Sequence, residues 1–455
     1  MKLTAFPNEI LHSIFSHIPL KSDLINLMLV SPSIKALAGL FLYKYINFEV
    51  LCTMHELART RTTDQRPDRT LPSSQKPNRL LETLIRYPDF GTKTVALSLD
   101  VHKPNWLLHF PLGKLLKELP ALRELSLSPP PMYWAPLEDL QNLTSVQLDF
   151  HRAIYDDCSQ GDGLFMARGV PLHIVARYLS LPSLRRLQAK KIYFALGCDH
   201  QQYLNKTQEQ HGGSSVDDLR FLGCDAYGTD GDSLVAGFIS SARQVKRFVF
   251  EMNGVGEVSL AEQFKAMGRA VMTHYATLDE VVLAESDTIL FTRWTMASLK
   301  GCGSIKRLAI PIRTNFGDLD VGSGFETYPS LHKYIPPQLE ELQIQFSVGV
   351  SELDGWHPVM QDAAAEAEIS YGEGLLRMWE LIENKDAHVP GLKRVIWWFQ
   401  QSSQDPLHRS EVPAFGSVSH MDELRQAFGK VGVEFELVLT PVFKDTPFGK
   451  RLYEW

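Results

Sequence analysis

Little in this 455-residue chain invites covalent chemistry. Cysteine is scarce: Cys52, Cys158, Cys198, Cys224 and Cys302 make an odd number, and no two stand in a C-x-x-C pair. That argues against a disulfide framework or a paired-cysteine metal motif and fits free thiols in a reducing compartment. No window reaches the ~18 consecutive apolar residues of a membrane span. The apolar N-terminus is interrupted early by Glu9, Lys21 and Asp23, so it reads as folded helix rather than a signal peptide. Positive charge is not in excess: 46 Lys and Arg face 53 Asp and Glu, for a net charge of −7. Nothing electrostatic therefore calls for a nucleic-acid or anionic-membrane partner.

Catalytic signatures are missing as well. The sequence contains no P-loop, no H-E-x-x-H, no G-x-S-x-G and no G-x-G-x-x-G. Gly301-Cys302-Gly303 and Gly322-Ser323-Gly324 read as turns, and Cys198-Asp199-His200 as sequence neighbours that do not converge on one substrate. His12 and His17 lie five apart, a spacing that does not stack two side chains on one helical face. A non-enzyme without cofactor or metal, soluble and intracellular (cytoplasmic and/or nuclear), is expected.

What is present suits folded structure. Hydrophobic residues make up 44% and charged residues 22%, enough to build a sizeable core. The length allows two to three domains, or a small module followed by a long solenoid. Near the start, Pro7 fits a first helical position and Glu9 the first turn. Ile10, Leu11, Ile14, Phe15 and Ile18 then form an amphipathic stripe that ends at Pro19. A second helix with Leu24, Leu27, Met28 and Val30 starts near Ser22-Asp23. Ser31-Pro32 is an N-cap with N1 proline for a third, carrying Ile34, Leu37, Leu40 and Phe41. Three short helices make a small core, yet almost every turn carries bulky apolar side chains. Part of that surface is expected to be covered by a partner.

These residues resemble the F-box motif. Phe6-Pro7-Asn8-Glu9-Ile10-Leu11, Ile14-Phe15, Ile18-Pro19, Asp23-Leu24 and Leu29-Val30-Ser31 follow, in order, the family pattern Leu-Pro-x-Glu-Ile-Leu, Ile-Phe, Leu-Pro, Asp-Leu and Leu-Val-Cys/Ser. Phe6 departs from the usual leucine, and Ile34 stands where many F-boxes carry tryptophan. The resemblance implies docking on a Skp-type adaptor and, through it, on a cullin-based ubiquitin ligase. The implied adaptor contacts are Pro7, Ile10, Leu11, Ile14, Phe15, Pro19, Leu24 and Val30.

Residues 59–79 are polar and proline-containing and read as a flexible loop. Beyond them a six-residue pattern, apolar-x-x-apolar-x-apolar, keeps returning. Its copies start at Leu122, Leu143, Leu184, Val216, Val245, Leu278, Ile305, Leu339 and Leu392, with a degenerate copy at Val95–Leu99. Eight steps carry it from Leu122 to Leu392, a mean of about 34 residues against ~20–29 for a leucine-rich repeat. Helical stretches at 260–275 and 375–382 fall between copies. The expected fold is α/β: a three-helix F-box (1–48), a connecting segment with a flexible loop (49–90), an irregular leucine-rich-repeat solenoid with a parallel concave sheet (91–440), and a C-terminal tail (441–455) tucked back by Phe448, Tyr453 and Trp455.

Strand alternation sends the fourth and sixth residues of each copy inward and the third, fifth and seventh to the concave face. Charges there are mixed in sign, which suits a protein target better than a polyanion. Candidate target-binding residues are Arg186, Arg220, Arg247, Arg307, Arg394 and, if exposed, Trp398. The chain thus reads as the substrate-recognition subunit of a Skp–cullin–F-box ligase; the alternative is an F-box or repeat scaffold that never joins a cullin complex.

Overall fold

The computed structural model describes residues 7–18, 21–50, 76–101, 112–128, 140–149, 170–194, 212–226, 229–252, 265–285, 295–312, 314–316, 330–347, 357–400, 418–440 and 443–453. The chain forms two compact units: residues 1–170 with 177–189, and residues 171–176 with 190–455.

The first unit opens with helices α1 (Asn8–Ser16), α2 (Lys21–Met28) and α3 (Pro32–Leu42). Pro7 precedes α1 at φ −54° and ψ 150°. Ser31 caps α3: its Oγ accepts from the Ile34 N–H at 3.3 Å while Pro32 takes N1. Phe15, Leu24, Ile34 and Ala38 make the core of the three helices. Phe15 and Phe41 meet edge to face at 6.2 Å, the arrangement that ring quadrupoles favour.

The expected boundary at residue 48 falls inside a strand. β1 (Tyr45–Val50) pairs in parallel with β2 (Ala96–Val101). The sheet continues through β3 (Glu124–Ser128) and β4 (Ser145–Leu148) to β5 (Arg186–Lys190), all parallel. The three helices are therefore joined to the sheet without a break. Tyr43 stacks on Phe90 at 4.7 Å, and the Thr94 hydroxyl donates to the Tyr43 carbonyl at 2.9 Å. Gly39 permits this approach, since a Cβ there would lie 2.7 Å from the Phe90 ring. Residues 76–86, expected within the connecting segment, are helical; residues 59–75 of the expected loop lie outside the described residues.

Among the described residues, the main sheet of the second unit runs through seven parallel strands: β6 (Asp218–Ala226), β7 (Arg247–Met252), β8 (Glu280–Glu285), β9 (Arg307–Pro311), β10 (Glu341–Ser347), β11 (Arg394–Gln400) and β12 (Glu434–Thr440). Each parallel neighbour demands a crossover; helices occur in several, at Thr229–Ser241, Lys265–Met272, His357–His388 and Val418–Lys430. A bulge lies between Phe221 and Cys224, where Gly223 takes φ +59°. The repeated motif and the strands coincide copy by copy, and registry is set by the inward residues: Leu219, Phe248, Val281, Leu308, Leu342 and Val395 stand side by side and fully buried.

The two units treat the other sheet face differently. In the first, strands alternate strictly, Leu97-Ser98-Leu99 and Leu125-Ser126-Leu127, and the serines are half-buried. In the second, Phe248-Val249-Phe250, Val281-Val282-Leu283 and Ile396-Trp397-Trp398 are unbroken apolar runs, and every one of these residues is buried. Continuous apolar strands belong to sheets covered on both sides.

His332 is buried against His388, ring centres 4.9 Å apart. Burial and the neighbouring His388 hold its pKa below the ordinary 6.5. The unfolded chain then takes up this proton first as pH falls, so stability is full above pH 6.5 and declines below it. Urea midpoints measured between pH 7.5 and 5 should fall, and His332→Gln should flatten that slope.

Candidate functional site

On the helices, the apolar stripe of α1 splits between two sides. Leu11 and Phe15 turn inward with Leu24, each no more than 5% exposed. These three expected adaptor contacts are core residues instead: the i, i+4 spacing of Leu11 and Phe15 faces them into their own chain. Ile10 and Ile14, one position earlier on the same helix, are 47% and 41% exposed. At the end of α2, Ile25, Leu29 and Val30 are 49%, 83% and 58% exposed. A shallow groove between the two elements is lined by His17, Ile18, Asp23, Asn26, Leu27 and Val30. Pro7 is exposed, and Pro19 lies outside the described residues. Ile25 and Leu29 were missed by sequence reasoning, although their i, i+4 spacing is a legible stripe. The departure at Ile34 falls in the core, where the side chain is 1% exposed.

Such a surface binds rather than reacts. Five large, substantially bare aliphatic side chains within residues 10–30 would each gain on the order of 1 kcal/mol on being covered, about half the value of full burial. Together they would contribute about 5 kcal/mol, near the low end of the about 4–15 kcal/mol that association costs, so an interface here draws on further contacts around them.

The sheet of the second unit holds the other candidates except Arg186. Its third positions are occupied, strand by strand, by Asp218, Arg247, Glu280, Arg307, Glu341, Arg394 and Glu434, register neighbours that alternate in sign across these seven strands. Arg247 Nε donates to Glu280 at 2.6 Å and Arg247 Nη1 approaches Asp218 at 3.3 Å. Arg307 meets Asp279 at 2.6 Å and Glu280 at 3.5 Å. Arg394 pairs with Glu436, and with Glu341 at 3.6 Å. The adjacent row repeats the alternation, with Lys246 on Asp217 at 2.9 Å and Lys393 on Glu340 at 2.6 Å. Lys393 accordingly holds the Glu340 carboxyl below its usual range, and the flanking carboxylates raise the Arg247 pKa against the opposing effect of burial. Among the expected target contacts, Arg247, Arg307 and Arg394 are thus engaged in this ladder.

Two others are not at the surface. Arg220 is 2% exposed and grips Asp218 through two hydrogen bonds of 2.9 Å. Trp398 is wholly buried, its indole N–H donating to the Thr440 carbonyl at 3.1 Å. It packs with Leu222, Val249, Val282, Ala284, Ala309, Ile396 and Phe448. The apolar run at Ile396–Trp398 means that this face is covered, which corrects the expectation of an exposed hot spot. Arg186, in the first unit, is half-buried.

Among the described residues, no group of three or more His, Cys, Asp or Glu side chains is arranged to hold a metal, and no helix is long and apolar enough to cross a membrane. Cys198, Asp199 and His200 lie outside the described residues. Burial pushes the Cys302 thiol up to about 11, far from a reactive thiolate. Iodoacetamide at pH 8 should therefore leave Cys302 unmodified in the native protein and label it after denaturation, as read by peptide mass spectrometry.

No curated protein matches the chain in sequence. Residues 3–42 match the family model of the F-box domain. That interval contains the three-helix core and the bare apolar positions of α1 and α2, and it identifies the chain as one that carries an F-box domain.

Proposed function

We propose that the chain is a non-catalytic substrate receptor of a Skp–cullin–F-box ubiquitin ligase, working in the cytoplasm or nucleus. The carrying observation is the exposure of Ile10, Ile14, Ile25, Leu29 and Val30 in a domain whose own core is already complete. These side chains dock on a Skp-type adaptor, which connects to a cullin. The repeated sheet holds a target protein, so that ubiquitin transfer is promoted by proximity rather than by chemistry on this chain. Continuity from α3 through β1 into the sheet supports this division of labour, because it fixes the first strands relative to the docking helices.

Affinity purification of the full chain from cells, probed for a Skp-type adaptor and a cullin, tests the reading. Recovery of both supports a ligase receptor. Recovery of the adaptor without a cullin makes the chain a scaffold, and recovery of neither contradicts docking altogether.

A further inference from the structure

The covered face of the second unit shows what it accepts. Past β12, the chain makes a short 3-10 turn (Phe443–Asp445) and then a seven-residue helix, Pro447–Tyr453. Phe448 from that helix is fully buried in the cluster formed by Val249, Val282, Ala309, Ile396 and Trp398. Ala284 and Ala309 are the smallest members of that cluster. One turn after Phe448, Arg451 places its guanidinium 4.5 Å from the Phe448 ring centre and forms an ion pair of 3.0 Å with Glu341. Thr446 caps the segment, its Oγ1 accepting from the Gly449 N–H at 3.0 Å.

Among the described residues, the segment pairs with no strand of the sheet. It is held by a side-chain signature: an aromatic residue in an apolar hollow and, three residues later, a cation on a carboxylate of the ladder. A separate peptide can reproduce both of these contacts, because each is made by a side chain.

We infer that this face is a docking groove for a short helical protein segment bearing an aromatic residue and an arginine three positions later, and that the chain's own residues 446–453 occupy it until such a segment displaces them. This inference rests on the receptor reading and names the target class that it leaves open. A tethered occupant competes at an effective concentration in the millimolar range, so a free segment of equal intrinsic affinity binds the intact chain weakly.

The test uses the full chain carrying Phe448→Ala and Arg451→Glu, and a fluorescent peptide with the sequence of residues 443–453. Fluorescence anisotropy should show saturable binding by the variant at least about tenfold tighter than by the unaltered chain. A peptide with alanine in place of its phenylalanine should not bind. A variant that keeps its cooperative thermal transition but does not bind the peptide overturns the inference. Loss of that transition also overturns it, because the segment is then an indispensable part of the core. Hydrogen exchange on the unaltered chain gives an independent reading. Amides at 449–453 must exchange at least about a hundredfold faster than those at 394–400, as local release requires; equal protection overturns the proposal. Adaptor recovery, measured on the same samples, reports on the receptor reading alone.

Discussion

Replacing Ile10 and Ile14 together by aspartate should abolish capture of a Skp-type adaptor while leaving the chain folded. Both side chains are more than 40% exposed, so the free protein loses little: surface changes of this kind usually stay within about 0.5 kcal/mol. In a complex the balance reverses. Each substitution forfeits roughly 1 kcal/mol of apolar burial and forces a carboxylate out of water, at a cost of several kcal/mol where it finds no partner. Affinity should drop by a factor of at least ~100, measured by pull-down and titration. The informative contrast is Phe15→Asp. That residue is 1% exposed at the centre of the helical core, and its replacement should also remove adaptor binding, but with loss of the helical module visible by circular dichroism. Equal behaviour of the two variants would mean that the exposed and buried sides of α1 do not have separate roles.

The second large effect concerns the ladder. Glu280 is 2% exposed and lies between Arg247 and Arg307. Glu280→Lys would set three cations side by side in the middle of the sheet, with an expected loss of about 3–5 kcal/mol, the usual consequence of breaking a buried pair. A lower urea midpoint at unchanged m would report it. An isolated ion pair would be restored by adding Arg247→Glu. Here restoration should be less than half, because the introduced glutamate faces Asp218 while the introduced lysine still faces Arg307. Full recovery would show that the pairs act singly rather than as a ladder. The alternation also disfavours register slips, because a strand that slips takes its charged rung away from the opposite charges on both neighbours.

Much of this was legible in the amino-acid order. The spaced strings at Pro7–Leu11, Ile14-Phe15 and Asp23-Leu24 matched a family pattern because helix packing fixes such spacings. The hexads announced the strands because inward leucines must recur where each strand meets the core. The ladder was also present, as Asp217-Asp218, Lys246-Arg247, Asp279-Glu280, Lys306-Arg307, Glu340-Glu341 and Lys393-Arg394. Taken one copy at a time, these looked like a mixture of signs; only parallel, in-register pairing turns them into alternating neighbours.

Other features were hidden for physical reasons. β1 lacks the leucine hexad and follows directly on α3, so a boundary drawn at the end of the F-box resemblance cut through it, although Ile46, Phe48 and Val50 alternate as a strand should. Trp398 was sorted to the surface by strand parity alone. Parity tells which face a side chain takes, and only the apolar neighbours Val249, Val282 and Ile396 tell that the face is covered. Leu11, Phe15 and Leu24 belong to the family motif, but a motif does not separate residues that build a module from residues that it presents.

The most direct test of docking is calorimetric titration of the purified full chain with a purified Skp-type adaptor at several temperatures. The bare aliphatic side chains predict a one-to-one, saturable complex with a negative heat-capacity change, the mark of apolar surface leaving water, and no complex for Ile10→Asp/Ile14→Asp. No binding by the unaltered chain, or equal binding by the variant, would contradict it.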